Sequence, residues 1–440
     1  MAFGPQIVLA SIHLDIPSQG IFLIVGPPAA GKSTLLRTLA GLNDRQPALR
    51  TWGEALIAGE PLGSPSAPTP AMVLQSARLL ACRLHENLVS AIPDRALLTV
   101  PQQQERLRRE LESLGQGELA ANLEASAVDL PLDVQRRVTI VRAALTGSPL
   151  ILVDEPTAGI ADDEKCQGIL ALLKKLAEDR AVVVTTHHRG HARILGEQIA
   201  LIAGGAVQER GETRAFLDAP RTVPGQEWLK TGHCNLPAPG AKPEELAEDA
   251  PRPITIPPET RTTVANAREP RGFFWLIESK LAGMPRPGIV SSLEDDLDGV
   301  QALGVDLVIT LEETPTLPEE ALRVRGIANE LFPIPDMNAP GLARAIDFCN
   351  HLDQLLADGH VVAVHCLAGL GRTGTVLAAY AIWCGANVVE AIELVRSARP
   401  LAIQSEAQAQ FLEEFAMAVV YAHRRLPIFS MRRPRLALTP

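Results

Sequence analysis

The sequence predicts two α/β domains joined by a proline-rich linker. Two glycine-containing loops, at 26–34 and 366–372, each follow an apolar run and precede a helical pattern. Residues 221–271 are rich in proline and charge and poor in bulky apolar side chains. A chain of 440 residues is long enough for two or three domains. We therefore expect domains at 1–220 and 272–424, the linker between them, and a basic tail at 425–440.

Composition limits the classes of function that this chain can have. The net charge of −10 argues against a nucleic-acid-binding protein. The six cysteines have no paired spacing, which indicates a reducing compartment. The N-terminus lacks the pattern of a secretory signal, and no apolar run is long enough to span a membrane. We expect a cytoplasmic protein that reaches a membrane only through a partner.

The first loop has the pattern of a phosphate-binding loop. The apolar run at 21–25 predicts a buried parallel strand, and a helix is expected at 33–40. The residues between match G-x-x-x-x-G-K-S/T. Backbone N–H groups of such a loop surround phosphates, the lysine reaches the terminal phosphates and the serine holds Mg²⁺. The expected ATP-binding residues are Gly26, Pro27, Pro28, Ala29, Ala30, Gly31, Lys32, Ser33 and Thr34.

Two further apolar runs end in polar residues suited to a nucleotide site. The run at 150–153 is followed by Asp154 and Glu155, and the run at 181–184 leads to His187. Ligands of open α/β sheets lie at the carboxyl ends of the strands. We expect Asp154 to serve the magnesium ion and Glu155 to orient or deprotonate water.

Residues 1 to about 220 resemble the ATP-binding cassette of ABC-type ATPases. The resemblance places Gln75 in the Q-loop, which makes it a ligand of nucleotide and Mg²⁺ beside Ser33 and Asp154. It makes His187 the switch histidine at the γ-phosphate. It also implies ATP and Mg²⁺ as cofactors, pairing of two cassettes in a homodimer or heterodimer, and a membrane permease as a partner.

The chain departs from this family at the signature loop. The family's Leu-Ser-Gly-Gly-Gln is replaced by Leu130-Pro131-Leu132-Asp133-Val134. Pro131 has no N–H, and Asp133 adds a negative charge where phosphate would bind. The middle glycine of the first loop is Ala29. ATP binding is expected, whereas efficient hydrolysis by a symmetric dimer is not, although Glu155 and His187 keep hydrolysis open.

The second loop predicts a pocket for a tetrahedral oxyanion with a sulfur at its floor. An apolar run at 361–364 precedes Cys366, and a helix is expected from Thr375 to Trp383. Glycines let successive N–H groups point inward, and the helix N-terminus is directed at the same point. The expected phosphate-binding residues are Leu367, Ala368, Gly369, Leu370, Gly371 and Arg372.

Residues 272–424 resemble the cysteine-dependent tyrosine and dual-specificity phosphatases, chiefly through 365–373 and through Arg399 to Ile403. The resemblance implies a phosphocysteine mechanism that needs no metal. Cys366 is the nucleophile and Arg372 clamps the phosphoryl oxygens. The Thr373 hydroxyl bonds the sulfur, and Asp336 on a proline-flanked loop is the expected general acid and then base.

Several roles stay open from the sequence. His365 either orients the loop or is a plain core histidine, and Gln408 either positions water or is an exposed helical residue. Leu367 and Leu370 are apolar in a loop where polyanion phosphatases carry lysine, which favours a phosphoprotein substrate, phosphotyrosine first and phosphoserine or phosphothreonine second. One alternative function is the ATP-binding subunit of a transporter with a regulatory phosphatase domain. Another is a phosphatase whose cassette is a nucleotide-gated dimerisation switch.

Overall fold

A computed structural model describes residues 1–75, 79, 83–242, 244, 246, 250–258, 260–261, 269–289, 291–399 and 401–425. The chain divides into two compact units. The first comprises Met1, Gln6–Gly41 and Thr51–Arg261, and the second comprises 2–5, 42–50 and 262–440. The predicted domain boundaries stay predictions. The basic tail beyond 425 lies outside the described residues, as do parts of the predicted linker.

The strands are numbered here in chain order. They are β1 (Ala2–Phe3), β2 (Gln6–Ile7), β3 (Gly20–Val25), β4 (Leu49–Arg50), β5 (Leu56–Ile57), β6 (Glu60–Pro61), β7 (Ala71–Val73), β8 (Leu150–Asp154), β9 (Ala181–Thr185), β10 (Gln198–Ala203), β11 (Ala206–Glu212), β12 (Phe274–Ile277), β13 (Leu281–Pro285), β14 (Leu307–Thr310), β15 (Ala328–Leu331) and β16 (Val362–Cys366).

The α-helices follow the same numbering. They are α1 (Lys32–Leu39), α2 (Leu84–Val89), α3 (Val100–Ser113), α4 (Gly117–Ala121), α5 (Leu132–Leu145), α6 (Asp163–Leu176), α7 (Arg189–Leu195), α8 (Thr213–Asp218), α9 (Val223–Thr231), α10 (Leu293–Ala302), α11 (Glu319–Arg323), α12 (Leu342–Ala357), α13 (Gly371–Trp383), α14 (Val388–Ala398) and α15 (Glu406–Arg425).

The first unit is built around a six-stranded sheet in the order β11-β10-β3-β9-β8-β7. Every neighbouring pair is parallel except β10 with β11. The residues of β9 are buried on both faces, as the continuous apolar run predicts for a central parallel strand. The carboxyl ends of β3, β8 and β9 therefore meet at one edge, where the first phosphate loop, Asp154 and Thr185 lie.

The second unit contains a five-stranded sheet in the order β12-β13-β16-β14-β15. The pair of β12 with β13 is antiparallel, and the other pairs are parallel. β16 is central and fully buried, and it ends at Cys366. α13, whose residues are all buried, follows directly. The strand, loop and helix predicted for the second loop are confirmed.

Several element boundaries differ from the predictions. α13 begins at Gly371 rather than Thr375, so Arg372 and Thr373 lie in its first turn. The apolar periodicity of 342–357 predicts a helix, and Asn387 is a predicted helix cap. Both are confirmed: α12 spans Leu342–Ala357, and the Asn387 side chain caps α14 by accepting a hydrogen bond from the Glu390 N–H. Among the described helices, none is long and apolar enough to cross a bilayer.

Candidate functional site

The catalytic loop of the second unit, residues 366–372, is held in shape by glycines at close approaches. Cys366 at the end of β16 is almost fully buried. Gly369 has a φ of 65°, and a Cβ there would lie 2.5 Å from the Met284 carbonyl carbon. The left-handed backbone and this contact both require glycine. A Cβ at Gly374 would lie 2.8 Å from Ala402 Cβ, so the first turn of α13 is also closely packed.

Cys366 and Thr373, the expected nucleophile and its expected hydrogen-bonding partner, lie together. Thr373 Oγ1 donates to Cys366 Sγ over 3.1 Å, and Thr373 is fully buried. Cys366 immediately precedes the loop that opens α13, so its sulfur lies towards the positive end of a helix 13 residues long. The arrangement therefore suits a nucleophile at the floor of the pocket.

The guanidinium of Arg372 is paired with two carboxylates. Nη1 donates to Glu313 Oε2 over 3.0 Å and to the Ile334 carbonyl over 3.1 Å. Nη2 lies 3.1 Å from Asp336 Oδ1. The Arg372 side chain is only 5% exposed, so these partners fix its fork in one orientation. A phosphate group bound in the loop would compete with both carboxylates for the same nitrogens.

Asp336 lies on a loop that is tied at several points. Its backbone N–H donates to Glu313 Oε1 over 3.0 Å, while its own side chain is 72% exposed. Ser405 Oγ donates to the Met337 carbonyl over 2.6 Å, and Gln408 Nε2 donates to the Asn338 carbonyl over 3.2 Å. These bonds hold the carboxyl of Asp336 beside Arg372 and open to solvent, which suits a group that exchanges protons.

Glu313 links the acid loop to the catalytic loop, and the sequence analysis did not single it out. The N–H groups of Glu313 and Asp336 lower the pKa of its carboxyl, and the charge of Arg372 acts in the same direction. The signal that could have found it is the acidic pair Glu312-Glu313, which follows the apolar run at 307–311 as Asp154-Glu155 follows the run at 150–153.

His365 is a neutral core histidine with a structural contact. Nε2 lies 2.8 Å from Thr310 Oγ1, which joins β16 to β14. Burial lowers the pKa of His365 to about 4. The ring is fully buried and Nδ1 lies 3.9 Å from Glu312 Oε1. Both ideas from the sequence are therefore compatible with its position: the ring lies in the core, and its contact with Thr310 holds the end of β16 next to Cys366.

Two sequence interpretations are wrong for residues beside this site. Gln408 is fully buried rather than exposed, because its side chain bonds the acid loop and the Gln404 N–H. Asp353 lies on the helix predicted at 342–357, where the sequence predicts a solvated carboxylate. It instead accepts hydrogen bonds from Tyr380 Oη and Trp383 Nε1, both at 2.8 Å. It joins α12 to α13 and supports the helix that carries Arg372.

The first phosphate loop follows β3 with the predicted polar groups around it. Ala29 and Gly31 have positive φ, and a Cβ at Gly26 would lie 2.0 Å from the Ile202 carbonyl oxygen. Lys32 Nζ donates to the Gly26 and Pro27 carbonyls at 2.9 and 2.8 Å. Burial lowers the pKa of Lys32, against the opposing charges of Glu155 and Asp154.

The predicted magnesium residues are only partly brought together. Ser33 Oγ donates to Asp154 Oδ1 over 3.0 Å, and Thr185 Oγ1 donates to the same oxygen over 2.6 Å. This hydroxyl and carboxylate, next to the loop lysine, fit a magnesium nucleotide. Gln75 follows β7 at the same sheet edge but is exposed. Its backbone carbonyl accepts a hydrogen bond from Arg136.

The carboxylate and histidine expected at the γ-phosphate form a pair. Glu155 Oε2 lies 2.9 Å from His187 Nδ1. Glu155 has a φ of 48°, and its N–H donates to Thr185 Oγ1 over 3.0 Å. This left-handed backbone at a non-glycine residue is costly and is held by neighbouring strands. The side chain of His187 is 69% exposed and reaches outward.

The altered signature loop differs from the expectation in one respect. Asp133 is buried, and its carboxylate lies 3.5 Å from Lys165 Nζ and 3.9 Å from Arg137 Nη2. The expected negative charge at a phosphate position is therefore compensated inside the unit. Pro131 is the N-cap of α5 and offers no N–H, and Leu132 is 46% exposed.

Family profiles match the segment around each loop. A family profile described as "ABC transporter" matches residues 9–158. A profile described as "Polymorphic toxin system, DSP-PTPase phosphatase" matches residues 282–386. The chain combines an ABC-type ATPase domain with a DSP-PTPase phosphatase domain. The predicted resemblances and the α/β fold class are thereby confirmed.

Curated relatives match the ABC domain. A phosphate import ATP-binding protein of Thermotoga maritima is 26% identical over 238 residues, which cover 52% of this chain and 93% of that protein. An arginine transport ATP-binding protein of Corynebacterium glutamicum is 29% identical over 243 residues, which cover 52% of this chain and 94% of that protein. The first is named for phosphate import and the second for arginine transport, and both are named as ATP-binding proteins.

Solved structures match each domain. Tk-PTP in its active form is 27% identical, covers 33% of this chain and 97% of its own, and has a TM-score of 0.31. A dimeric ATP-binding cassette in a post-hydrolysis state with ADP and Pi is 25% identical, covers 47% of this chain and 91% of its own, and has a TM-score of 0.40.

Proposed function

We propose that the phosphatase domain hydrolyses phosphoproteins, with phosphotyrosine as the first substrate, through a phosphocysteine at Cys366. The observation that carries this proposal is the grouping of a buried sulfur bonded by Thr373 with a guanidinium that contacts the acid Asp336. A nucleophile, a clamp for the phosphoryl oxygens and a proton donor are the groups that the reaction needs.

The reaction runs in two steps. The Cys366 thiolate attacks phosphorus, the bond from phosphorus to the ester oxygen breaks, and the Asp336 carboxyl gives its proton to the departing oxygen. Arg372 stabilises the charge on the equatorial oxygens. Water then attacks the phosphocysteine and loses a proton to the Asp336 carboxylate. The sulfur–phosphorus bond breaks, and the Thr373 hydroxyl stabilises the departing thiolate.

The rim of the pocket supports a protein substrate. Leu367 is 45% exposed beside the nucleophile, and Met337 is 49% exposed beside the acid. The nearby guanidinium of Arg286 is engaged by Glu312 over 3.2 Å. Apolar side chains and compensated cations suit an aromatic ester in a peptide better than a polyphosphorylated head group.

Steady-state assays test this proposal. Phosphotyrosine, phosphoserine and phosphothreonine peptides of one sequence are compared with an inositol polyphosphate on the full chain without added metal. We expect the highest kcat/KM for the phosphotyrosine peptide and an acid-trapped phosphoenzyme that carries its label on Cys366. A label elsewhere, or a dependence on divalent cations, would contradict the mechanism.

We also propose that the ABC domain binds Mg·ATP at its phosphate loop. The supporting observation is the contact of Ser33 with Asp154 beside Lys32. The bound metal would neutralise phosphate charge, and Glu155 would orient water. Relatives named as ATP-binding proteins of phosphate import and of arginine transport favour a second candidate, an ATP-binding subunit that works with a membrane permease.

Light scattering and phosphatase rates discriminate between these roles of the ABC domain. The mass and the phosphatase rate of the Glu155→Gln chain are measured with and without Mg·ATP. A doubled mass supports pairing of two cassettes, and a changed rate supports a regulatory switch. If neither changes and a permease co-purifies, the transporter role gains support. The predicted cytoplasmic location is tested by fractionation of the cells.

A further inference from the structure

Arg399 contacts the catalytic loop although it lies outside the phosphatase motif at 365–373. It follows α14, and its Nη2 donates to the Ala368 carbonyl over 3.1 Å. Its Nε is buried and has no hydrogen-bond partner in the part of the chain that the structure describes. A Cβ at Gly272 would lie 2.9 Å from Arg399 Nη1, so a glycine at this turn leaves room for the guanidinium.

The hydrogen bond to Ala368 acts on the orientation of the loop. An anion-binding loop needs its N–H groups directed inward, so its carbonyls must point outward. An outward carbonyl in a closely packed site needs a donor. The Arg399 guanidinium supplies this donor at the second residue after the nucleophile, and Gly369 follows at its close contact with Met284.

The charge of Arg399 acts on the nucleophile. Burial lowers the pKa of Arg399, and the charge of Cys366 opposes this effect, so the two groups are electrostatically coupled. The other charged groups around Cys366 are already compensated. Arg372 pairs with Glu313 and Asp336, Arg286 pairs with Glu312, and His365 is neutral above about pH 4. In the described residues, no ion pair connects Arg399 to a carboxylate.

We propose that Arg399 is a positioning residue of the phosphatase reaction: it fixes the Ala368 carbonyl and provides an uncompensated positive charge that stabilises the Cys366 thiolate. This inference rests on the proposed function of the same site. Its two parts, a donated hydrogen bond and a charge, are separable by substitution. Arg399→Lys keeps the charge, and Arg399→Gln keeps an N–H donor without charge.

The test measures how fast iodoacetamide alkylates Cys366 between pH 4 and pH 9 in the full chain. Alkylation reports thiolate, and mass spectrometry of the Cys366 peptide separates it from the other cysteines. Arg396→Gln is the matched control, because Arg396 lies one turn earlier in α14 and donates to the Ala402 and Ile403 carbonyls instead of the catalytic loop. The acidic limb of kcat/KM is the second readout.

We expect Arg399→Gln to move the midpoint of the alkylation profile upward by about one pH unit, as removal of a nearby opposite charge does. Below the midpoint, alkylation and kcat/KM then fall about tenfold. Arg399→Lys shifts the midpoint by less, and Arg396→Gln leaves it unchanged. A midpoint in Arg399→Gln that equals the wild-type value, or an equal shift in Arg396→Gln, would overturn the proposal.

A second variant keeps the test decisive if Arg399→Gln does not fold. Gly272→Ala places a methyl against Nη1, so it displaces the guanidinium without removing it. We expect Gly272→Ala to move the midpoint of the alkylation profile upward, as Arg399→Gln does. An unshifted midpoint would again overturn the proposal. Alkylation does not require turnover. A wild-type chain that fails to hydrolyse phosphate esters would therefore refute the proposed function and leave the effect of Arg399 on the thiol measurable.

Discussion

The two phosphate loops of this chain are lined by different groups. The loop at 26–34 follows a parallel strand and is lined by backbone, a lysine and a serine that contacts Asp154. The catalytic loop also follows a parallel strand, but it has a buried sulfur and a buried guanidinium. In the proposed function, the first loop binds a magnesium nucleotide and, in the family that it resembles, works with a second cassette. The proposed nucleophile, clamp and acid of the second site lie within one unit.

This contrast indicates which kind of site keeps its activity when the sequence changes. A site shared between two subunits depends on a partner surface, and here the signature loop has lost its glycines and gained Pro131. A site built within one unit depends on short-range packing, such as the close approach at Gly369. We therefore place the main reaction at the catalytic loop.

The largest expected effect comes from the nucleophile. Cys366→Ser should lower kcat for p-nitrophenyl phosphate by about 10⁴-fold or more, because the covalent step is lost. The assay is release of p-nitrophenolate by the full chain. Cys384→Ser is the control, since Cys384 lies outside the loop. Residual turnover of Cys366→Ser within tenfold of wild type would place the reaction elsewhere, including at the first loop.

The loop that carries Asp336 distinguishes the second site from the first. The proposed phosphatase reaction needs a proton for its leaving group, and the first phosphate loop takes no part in that reaction. Asp336→Asn should lower kcat about a hundredfold for phenyl phosphate and much less for p-nitrophenyl phosphate, whose leaving group needs little protonation. Asp358→Asn is the control, at the exposed C-cap of α12. An equal loss with both substrates would show that Asp336 acts on the structure and not as the acid.

Protonation of His365 should weaken the second unit at low pH. Its pKa is about 4 in the folded protein and about 6.5 when unfolded, so the stabilisation is present above pH 6.5 and is lost between pH 6.5 and 4. A shift of this size corresponds to about 3 kcal/mol. Hydrogen exchange of β16 amides at pH 5 and 7 measures it. His365→Gln should flatten the pH dependence, whereas the exposed His360→Gln should not, and an unchanged slope in His365→Gln would refute this account.

The smallest effect concerns the lysine of the first loop. Lys32→Ala should weaken Mg·ATP binding roughly thirtyfold, because hydrogen bonds to charged groups contribute about 1.5–3 kcal/mol. Calorimetric titration of the full chain measures the Kd, with the half-exposed Lys175→Ala as control. An unchanged Kd in Lys32→Ala would mean that this loop does not bind the phosphates. The first loop would then have no phosphate-binding function, in contrast to the catalytic loop.

The sequence alone predicts the two loops with their strands and helices, which the structure contains. It also names Cys366, Arg372 and Asp336 as the expected nucleophile, clamp and acid. These features are local: an apolar run, glycines and a polar residue at fixed spacing require no knowledge of distant segments. For the same reason the sequence predicted the helix at 342–357 and the cap of α14.

The distant groups that complete the sites are visible in the folded chain and not in the sequence. Glu313 reaches Arg372 across 59 positions, and Arg399 reaches Ala368 across 31. The burial of Gln408 and the compensation of Asp133 by Lys165 likewise depend on which elements pack together. Hydrogen bonds and ion pairs act over a few ångströms, so they can join residues that are far apart in the sequence and that no local sequence pattern links. Sheet order and helix packing therefore set them, and neither is visible in a local pattern.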